Sequence, residues 1–178
     1  MINSMNEADF VPERFSKVKF EDIPKDIVDK IQKMHETKKG LFLFGDCGTG
    51  KTHIAYAIWQ WFRDGQVQSI FCKSTEILDS IKDSYGRKDF DTRDSILSRL
   101  MDFKGLLIID DLGVEKATDW VAETFYKLFD KRYEEMRITV FTSNLSLGDL
   151  SEKISDRLSS RIAEMCDVVR IKGKDRRL

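Results

Sequence analysis

The chain has 178 residues, about one domain's worth, and a formal charge of −1 from 30 basic and 31 acidic side chains. That balance excludes a global basic field, so any contact with nucleic acid must come from local patches. Three cysteines at irregular spacing argue against a disulfide framework or a zinc site and point to a reducing, cytoplasmic compartment. No signal-peptide pattern opens the sequence and no apolar run is long enough for a membrane span.

In chain order, residues 1–12 read as a polar tail and Phe15–Pro24 as an extended arm, so 1–24 is expected to precede a domain over 25–178. Ile27, Ile31 and Met34 recur at helical spacing and predict a short helix before Lys38-Lys39-Gly40. Leu41 to Gly45 reads as the first core strand. A helix follows with Ile54, Ile58, Trp61 and Phe62 on one face; it stops at Gly65, and at least one of Trp59 and Trp61 is expected in the core. Ser69–Cys72 predicts a second strand. Thr75–Ser84 and Arg93–Phe103 predict helices around a charged turn, Tyr85–Asp89. Leu106–Ile109 is apolar without interruption, as a strand buried on both faces must be. Thr118 is placed to cap a helix carrying Val121, Phe125, Leu128 and Phe129 inward. Ile138–Phe141 reads as a strand, Glu152–Glu164 as a helix and Val168–Ile171 as the last strand. Short apolar strands alternating with helices predict an α/β fold, a five-stranded parallel sheet with helices on its faces.

Chemistry concentrates where the first strand meets its helix. Gly45-Asp46-Cys47-Gly48-Thr49-Gly50-Lys51-Thr52 has the full spacing of a phosphate-binding loop. Its glycines let backbone N–H groups turn toward an anion, and the helix that follows aims its free donors at the same point. Lys51 supplies a point charge for the outer phosphates and Thr52 a hydroxyl for Mg2+. These residues predict a nucleoside-triphosphate site. Asp110 and Asp111 follow four aliphatic residues and so fall at the carboxyl end of a buried strand. Asp110 suits the magnesium ion and Asp111 the attacking water. Thr142-Ser143-Asn144 ends the next strand in the same way, within reach of a γ-phosphate or that water.

These stretches, with Gly50-Lys51-Thr52-His53, Asp110-Asp111-Leu112-Gly113, Asp156-Arg157-Leu158-Ser159-Ser160-Arg161-Ile162 and Ile171-Lys172-Gly173-Lys174-Asp175-Arg176-Arg177 in order, resemble the AAA+ ATPases. Within them the chain is similar to the DnaC/DnaI-type helicase loaders and the IstB transposition helpers, from about Pro12 to the end. The resemblance implies a P-loop NTPase core that binds ATP or ADP with Mg2+. It implies Asn144 at the sensor I position, Arg161 at an arginine finger acting on a neighbouring subunit, Arg157 one helical turn earlier, and Arg177 at a sensor II-like position. It further implies self-association, a replicative helicase as partner, and single-stranded DNA. The residues alone also allow Arg157 and Arg161 to form surface pairs with Asp156 or Glu164.

Three departures bear on this. Asp111 stands where many AAA+ proteins carry Glu, so hydrolysis is expected to be slow. No α-helical lid domain is expected after Arg177, and little precedes the core where loaders carry a helicase-binding domain. The expected DNA segment holds Lys73, Lys82, Arg87, Lys88 and Arg93 with Tyr85 and Phe90, a cationic and aromatic mixture suited to single strands. Asp79, Asp83, Asp89, Asp91 and Asp94 dilute its field. Three rival readings stand beside the loader: a transposition helper on the same core, a small-molecule P-loop kinase, and a nucleotide-gated module that scarcely hydrolyses ATP. His35 and His53 are read as structural or solvated, and Cys47 as a small loop residue.

Overall fold

The computed structural model describes residues 11–84 and 96–173. Five strands form one parallel sheet, as the alternating pattern predicts: β1 (Gly40–Phe44), β2 (Ser69–Lys73), β3 (Leu106–Leu112), β4 (Thr139–Ser143) and β5 (Cys166–Arg170). Their spatial order is β2-β3-β4-β1-β5. Strand β4 therefore lies between β1, which leads into the phosphate loop, and β3, which carries the two aspartates. That insertion determines what can gather at the carboxyl edge.

The period-two geometry of a strand divides the apolar runs between two cores. Leu41, Leu43, Leu106, Ile108 and Val140 face α1 (Lys25–Thr37) and α2 (Lys51–Asp64). Phe42, Leu107, Ile109 and Phe141 face the opposite layer. That layer holds α3 (Ser74–Ser84), α4 (Ile96–Asp102), α5 (Asp119–Glu134), α6 (Leu147–Lys153) and α7 (Asp156–Met165). Thr118 caps α5 as expected, its hydroxyl accepting from Val121 N at 3.3 Å.

Four expectations need correction. The arm over Phe15–Pro24 is not extended but holds 3₁₀ turns, Glu13–Phe15 and Phe20–Asp22. Phe15 and Phe20 have the same sequence spacing as Tyr56 and Trp61 of α2, and the turns let each ring stack on its counterpart, with centroids 4.4 and 4.8 Å apart. Val18 and Ile23 enter the core alongside, packed with residues of α1 and α2. On α2, Trp59 is the core tryptophan, while Trp61 remains 37% exposed and is covered by Phe20. The single helix over 152–164 is two. Ser146 caps α6 through a capping box, and Ser155 in extended backbone (φ −175°, ψ 137°) separates it from α7. The last strand begins at Cys166 and ends at Arg170, earlier than Val168–Ile171.

At the amino edge of the sheet lies an arginine that hydropathy did not signal. Arg132 is fully buried on α5. Its Nε donates to Thr139 Oγ1 at 2.8 Å, its Nη1 to the carbonyls of Leu100 and Phe103 at 2.9 Å each, and its Nη2 to those of Ile138 at 2.9 Å and Gly105 at 3.4 Å. Every guanidinium N–H is thus used. Burial pushes its pKa down to about 9. The side chain ties the end of α4 to the starts of β3 and β4.

Candidate functional site

The loop Gly45–Gly50 turns sharply at the end of β1, with positive φ at Gly45 (151°), Gly48 (77°) and Gly50 (98°). A Cβ on Gly45 would lie 2.3 Å from the carbonyl of Ile171, so that position excludes side chains by contact as well as by φ. Thr49 Oγ1 donates to Asp46 O at 2.8 Å and braces the turn. Helix α2 then begins at Lys51 itself, placing its N-terminal donors at the loop. Lys51 is 5% exposed, and its Nζ donates to the carbonyls of Gly45 and Asp46, each at 2.8 Å. Burial lowers its pKa, and the nearby Cys47, Asp111, Asp110 and Asp46 pull the other way.

Asp110 is the centre of the constellation. It sits within β3, 1% exposed, and accepts from Thr52 Oγ1 at 3.0 Å on Oδ1 and 3.2 Å on Oδ2. Thr142 of β4 donates to the same Oδ1 at 2.6 Å. Burial raises the Asp110 pKa; neighbouring Asp111 adds to the rise, while the Thr142 and Thr52 hydrogen bonds and Lys73 oppose it. Thr142 Oγ1 also accepts from Asp111 N at 2.9 Å, so one hydroxyl positions both aspartates. Strand β3 runs on through Asp110–Leu112, longer than the apolar run implied, with a register irregularity against β4 between Ile109 and Leu112. There Asp111 takes φ 57°, a left-handed conformation uncommon for a residue with a side chain.

A cavity of about 620 Å³ opens over this group. Cys47, Gly48, Gly50, Lys51, Thr52, His53, Asp110, Asp111 and Asn144 line it, so the structure brings together most of the residues expected to meet nucleotide. Asn144 is exposed just beyond β4. Arg157 and Arg161 are not among the lining residues. Arg157 is exposed on α7. Arg161 turns to α5, where its Nε donates to Asp130 at 2.6 Å and its guanidinium covers Tyr133 at 4.7 Å; Glu164 lies 3.6 Å from its Nη1. Arg177 lies outside the described residues, as do Tyr85, Arg87, Lys88, Phe90 and Arg93 of the expected DNA segment, with Asp89, Asp91 and Asp94. Of that segment Lys73 lines the cavity, and Lys82 lies over the Trp120 ring at 5.3 Å.

Sequence reasoning missed several wall residues. Pro12, Arg14 and Phe15 reach the cavity from the N-terminal segment, and Tyr56 from α2. Tyr56 is sandwiched between Phe15 and Phe71, with centroids 4.4 and 4.0 Å away. Burial, with the nearby charges of Asp110 and Glu76, pushes its phenol up to about 12. The available signal was the aromatic at Tyr56, one helical turn beyond Thr52. Thr142 was visible only as part of a polar strand end.

The sequence profile of the IstB-like ATP-binding proteins matches residues 5–178. The chain belongs to that family. This IstB-like protein is 29% identical over 149 residues to a protein of insertion sequence IS232 from Bacillus thuringiensis subsp. berliner, covering 80% of this chain and 57% of that one. It is 26% identical over 166 residues to the replicative helicase loader DnaI of Bacillus subtilis (strain 168), covering 85% and 52%. It therefore spans little more than half the length of these relatives. Among solved structures, that of the DnaC helicase loader superposes with a TM-score of 0.77 at 23% identity, covering 90% of this chain and all of that one. The architecture of this IstB-like protein is thus the α/β P-loop fold of that structure, as its motif order implied.

Proposed function

We propose that the protein binds ATP with Mg2+ in this cavity, hydrolyses it slowly, and uses the nucleotide state to control a grip on single-stranded DNA and on a replicative helicase. The observation that carries this reading is the bonding of Asp110 to Thr52 on one side and Thr142 on the other. Phosphate loop, acid and strand end form one polar unit at the mouth of the loop. The donor set fits Mg2+, which prefers hard oxygens and takes few of them from protein. Thr52 Oγ1 and the Asp110 carboxylate would hold the ion, leaving its other positions to phosphate and water. Bound Mg2+ neutralises phosphate charge.

The protein's own groups supply the rest. Lys51 exchanges its carbonyl partners for phosphate oxygens. Asp111 orients the attacking water, with Asn144 beside it at the open side of the cavity. Arg161, as a permanently charged fork, serves a neighbouring subunit after leaving Asp130. The DnaI and DnaC likenesses support a helicase partner. The IstB-like profile and the IS232 relative support a second reading, a transposition helper on the same core; capture of a replicative helicase rather than a transposase separates the two.

ATP turnover with and without single-stranded DNA, across protein concentrations, tests the main reading. Turnover is expected to rise with DNA and with protein concentration, and to fall by about a thousandfold in Arg161→Ala. Turnover indifferent to DNA, concentration and Arg161 would send the assignment back to a monomeric P-loop enzyme, the kinase among them.

A further inference from the structure

Glu115 is 6% exposed, yet its carboxylate has no part in the chemistry above. It lies just past the aspartates, in the loop between β3 and α5. Its Oε2 lies 2.8 Å from the hydroxyl of Ser74, the first residue of α3, which is fully buried. Its Oε1 accepts from Gly113 N at 3.1 Å. The same Ser74 hydroxyl lies 3.0 Å from the backbone carbonyl of Asp111. A buried carboxylate thus spans the gap between the corner where β2 becomes α3 and the backbone that carries Asp111.

That backbone needs support. Asp111 holds φ 57° at the irregularity in β3, and Gly113 follows at φ 92°. A non-glycine residue in this region persists only where its surroundings over-determine it. Thr142 fixes the Asp111 N–H and Ser74 the carbonyl, so both sides of the residue are bonded. Lys153 of α6 donates to the Gly113 carbonyl at 2.5 Å and closes the loop from the third side.

We infer that Ser74 and Glu115 are positioning residues for Asp111: they hold its backbone in the one conformation that turns its carboxylate into the cavity. The inference rests on the hydrolytic reading for its consequence, though the backbone clamp stands apart from it. Ser74 has one hydroxyl hydrogen and two oxygen neighbours. With the carboxylate accepting, that hydrogen is shared between the Asp111 carbonyl and Glu115 Oε2. A glutamine at 115 would remove the competition, its amide donating to Ser74 while its oxygen accepts from Gly113 N, so that the Ser74 hydrogen goes to the Asp111 carbonyl. Charge at 115 is then dispensable, whereas hydrogen bonding is not.

The test compares Ser74→Ala, Glu115→Ala and Glu115→Gln for ATP turnover, for affinity toward a fluorescent ADP analogue, and for amide hydrogen exchange at Asp111 and Gly113 by NMR. Circular dichroism confirms that each variant is folded. Ser74→Ala and Glu115→Ala are expected to lose about tenfold to a hundredfold in kcat, as small misplacements of a catalytic group do, with analogue affinity within about twofold. Their two amides exchange faster by at least about tenfold. Glu115→Gln retains turnover and slow exchange. Loss in Glu115→Gln equal to that in Glu115→Ala, affinity falling in step with turnover, or unchanged exchange in Ser74→Ala would each overturn the inference. Should the unsubstituted protein show no turnover, the hydrolytic reading fails, and the exchange data alone decide the clamp.

Discussion

Thr139 and Thr142 stand toward opposite ends of β4, and each serves a buried charge of opposite sign. Thr139 accepts from Arg132 at the amino edge of the sheet; Thr142 donates to Asp110 at the carboxyl edge. Among the described residues, neither charge hydrogen-bonds an oppositely charged side chain. Arg132 nonetheless has every donor occupied, four partners being backbone carbonyls. Asp110 has two hydroxyl partners and acceptor capacity to spare, much of it on Oδ2. A saturated buried charge ties elements together. One left short of partners, beside a phosphate loop and a cavity, keeps acceptor capacity for a ligand, which is what the proposed magnesium site would use.

Removing each charge should break the comparison in opposite directions. Asp110→Asn is expected to lower ATP turnover by about a thousandfold or more while raising the thermal midpoint without nucleotide. The sign follows from the raised pKa. The unfolded chain loses the Asp110 proton first, so between the ordinary aspartate value and the raised one the folded state binds more protons. Stability from this group is present at lower pH and lost as pH rises through that window. Melting curves across pH should show Asp110→Asn gaining most at neutral pH and least in acid. Arg132→Ala orphans its carbonyl partners and opens a void, and urea unfolding should show a loss of about 3–5 kcal/mol. A stable Arg132→Ala variant would mean that water replaces the guanidinium and that saturation is not what holds that edge.

The threonines sharpen the same contrast at smaller scale. Thr139→Val leaves Arg132 Nε unpaired and should cost about 1–2 kcal/mol in unfolding with turnover unchanged. Thr142→Val leaves Asp111 N without its partner and should cost about 1–2 kcal/mol as well, but it should also lower turnover by about tenfold to a hundredfold through misplaced carboxylates. Equal effects of the two on both readouts would erase the distinction between the edges.

The carboxyl edge was far more legible than the amino edge. A glycine loop with a lysine at fixed spacing, and two aspartates directly after four aliphatics, are combinations that turn formation alone does not require, so Lys51, Thr52, Asp110 and Asp111 stood out by type and spacing. The strands were legible because β1, β3 and β4 are covered on both faces and read as unbroken apolar runs. Arg132 looked like one more cation on a charged helix, because burial among carbonyls depends on strand ends that meet only in the fold. Thr142 was hidden differently: nothing local separates a threonine that bonds a carboxylate from one that ends a strand. The break between α6 and α7 escaped because Ser155 in extended backbone is set by how the two helices dock, while the helical period runs on through it. Phe15 and Phe20 read as part of an extended arm, since their partners Tyr56 and Trp61 lie on another element.

Trp61 makes the docking of the N-terminal segment visible to light. Its indole lies flat on Phe20 and stays 37% exposed, while Trp59 is sealed in the core. Farther along the same segment, Phe15 packs on Tyr56 and touches the cavity. The solvent-facing indole is thus packed against the same segment that supplies Phe15 to the cavity wall. Its emission should therefore report whether that segment stays packed on α2.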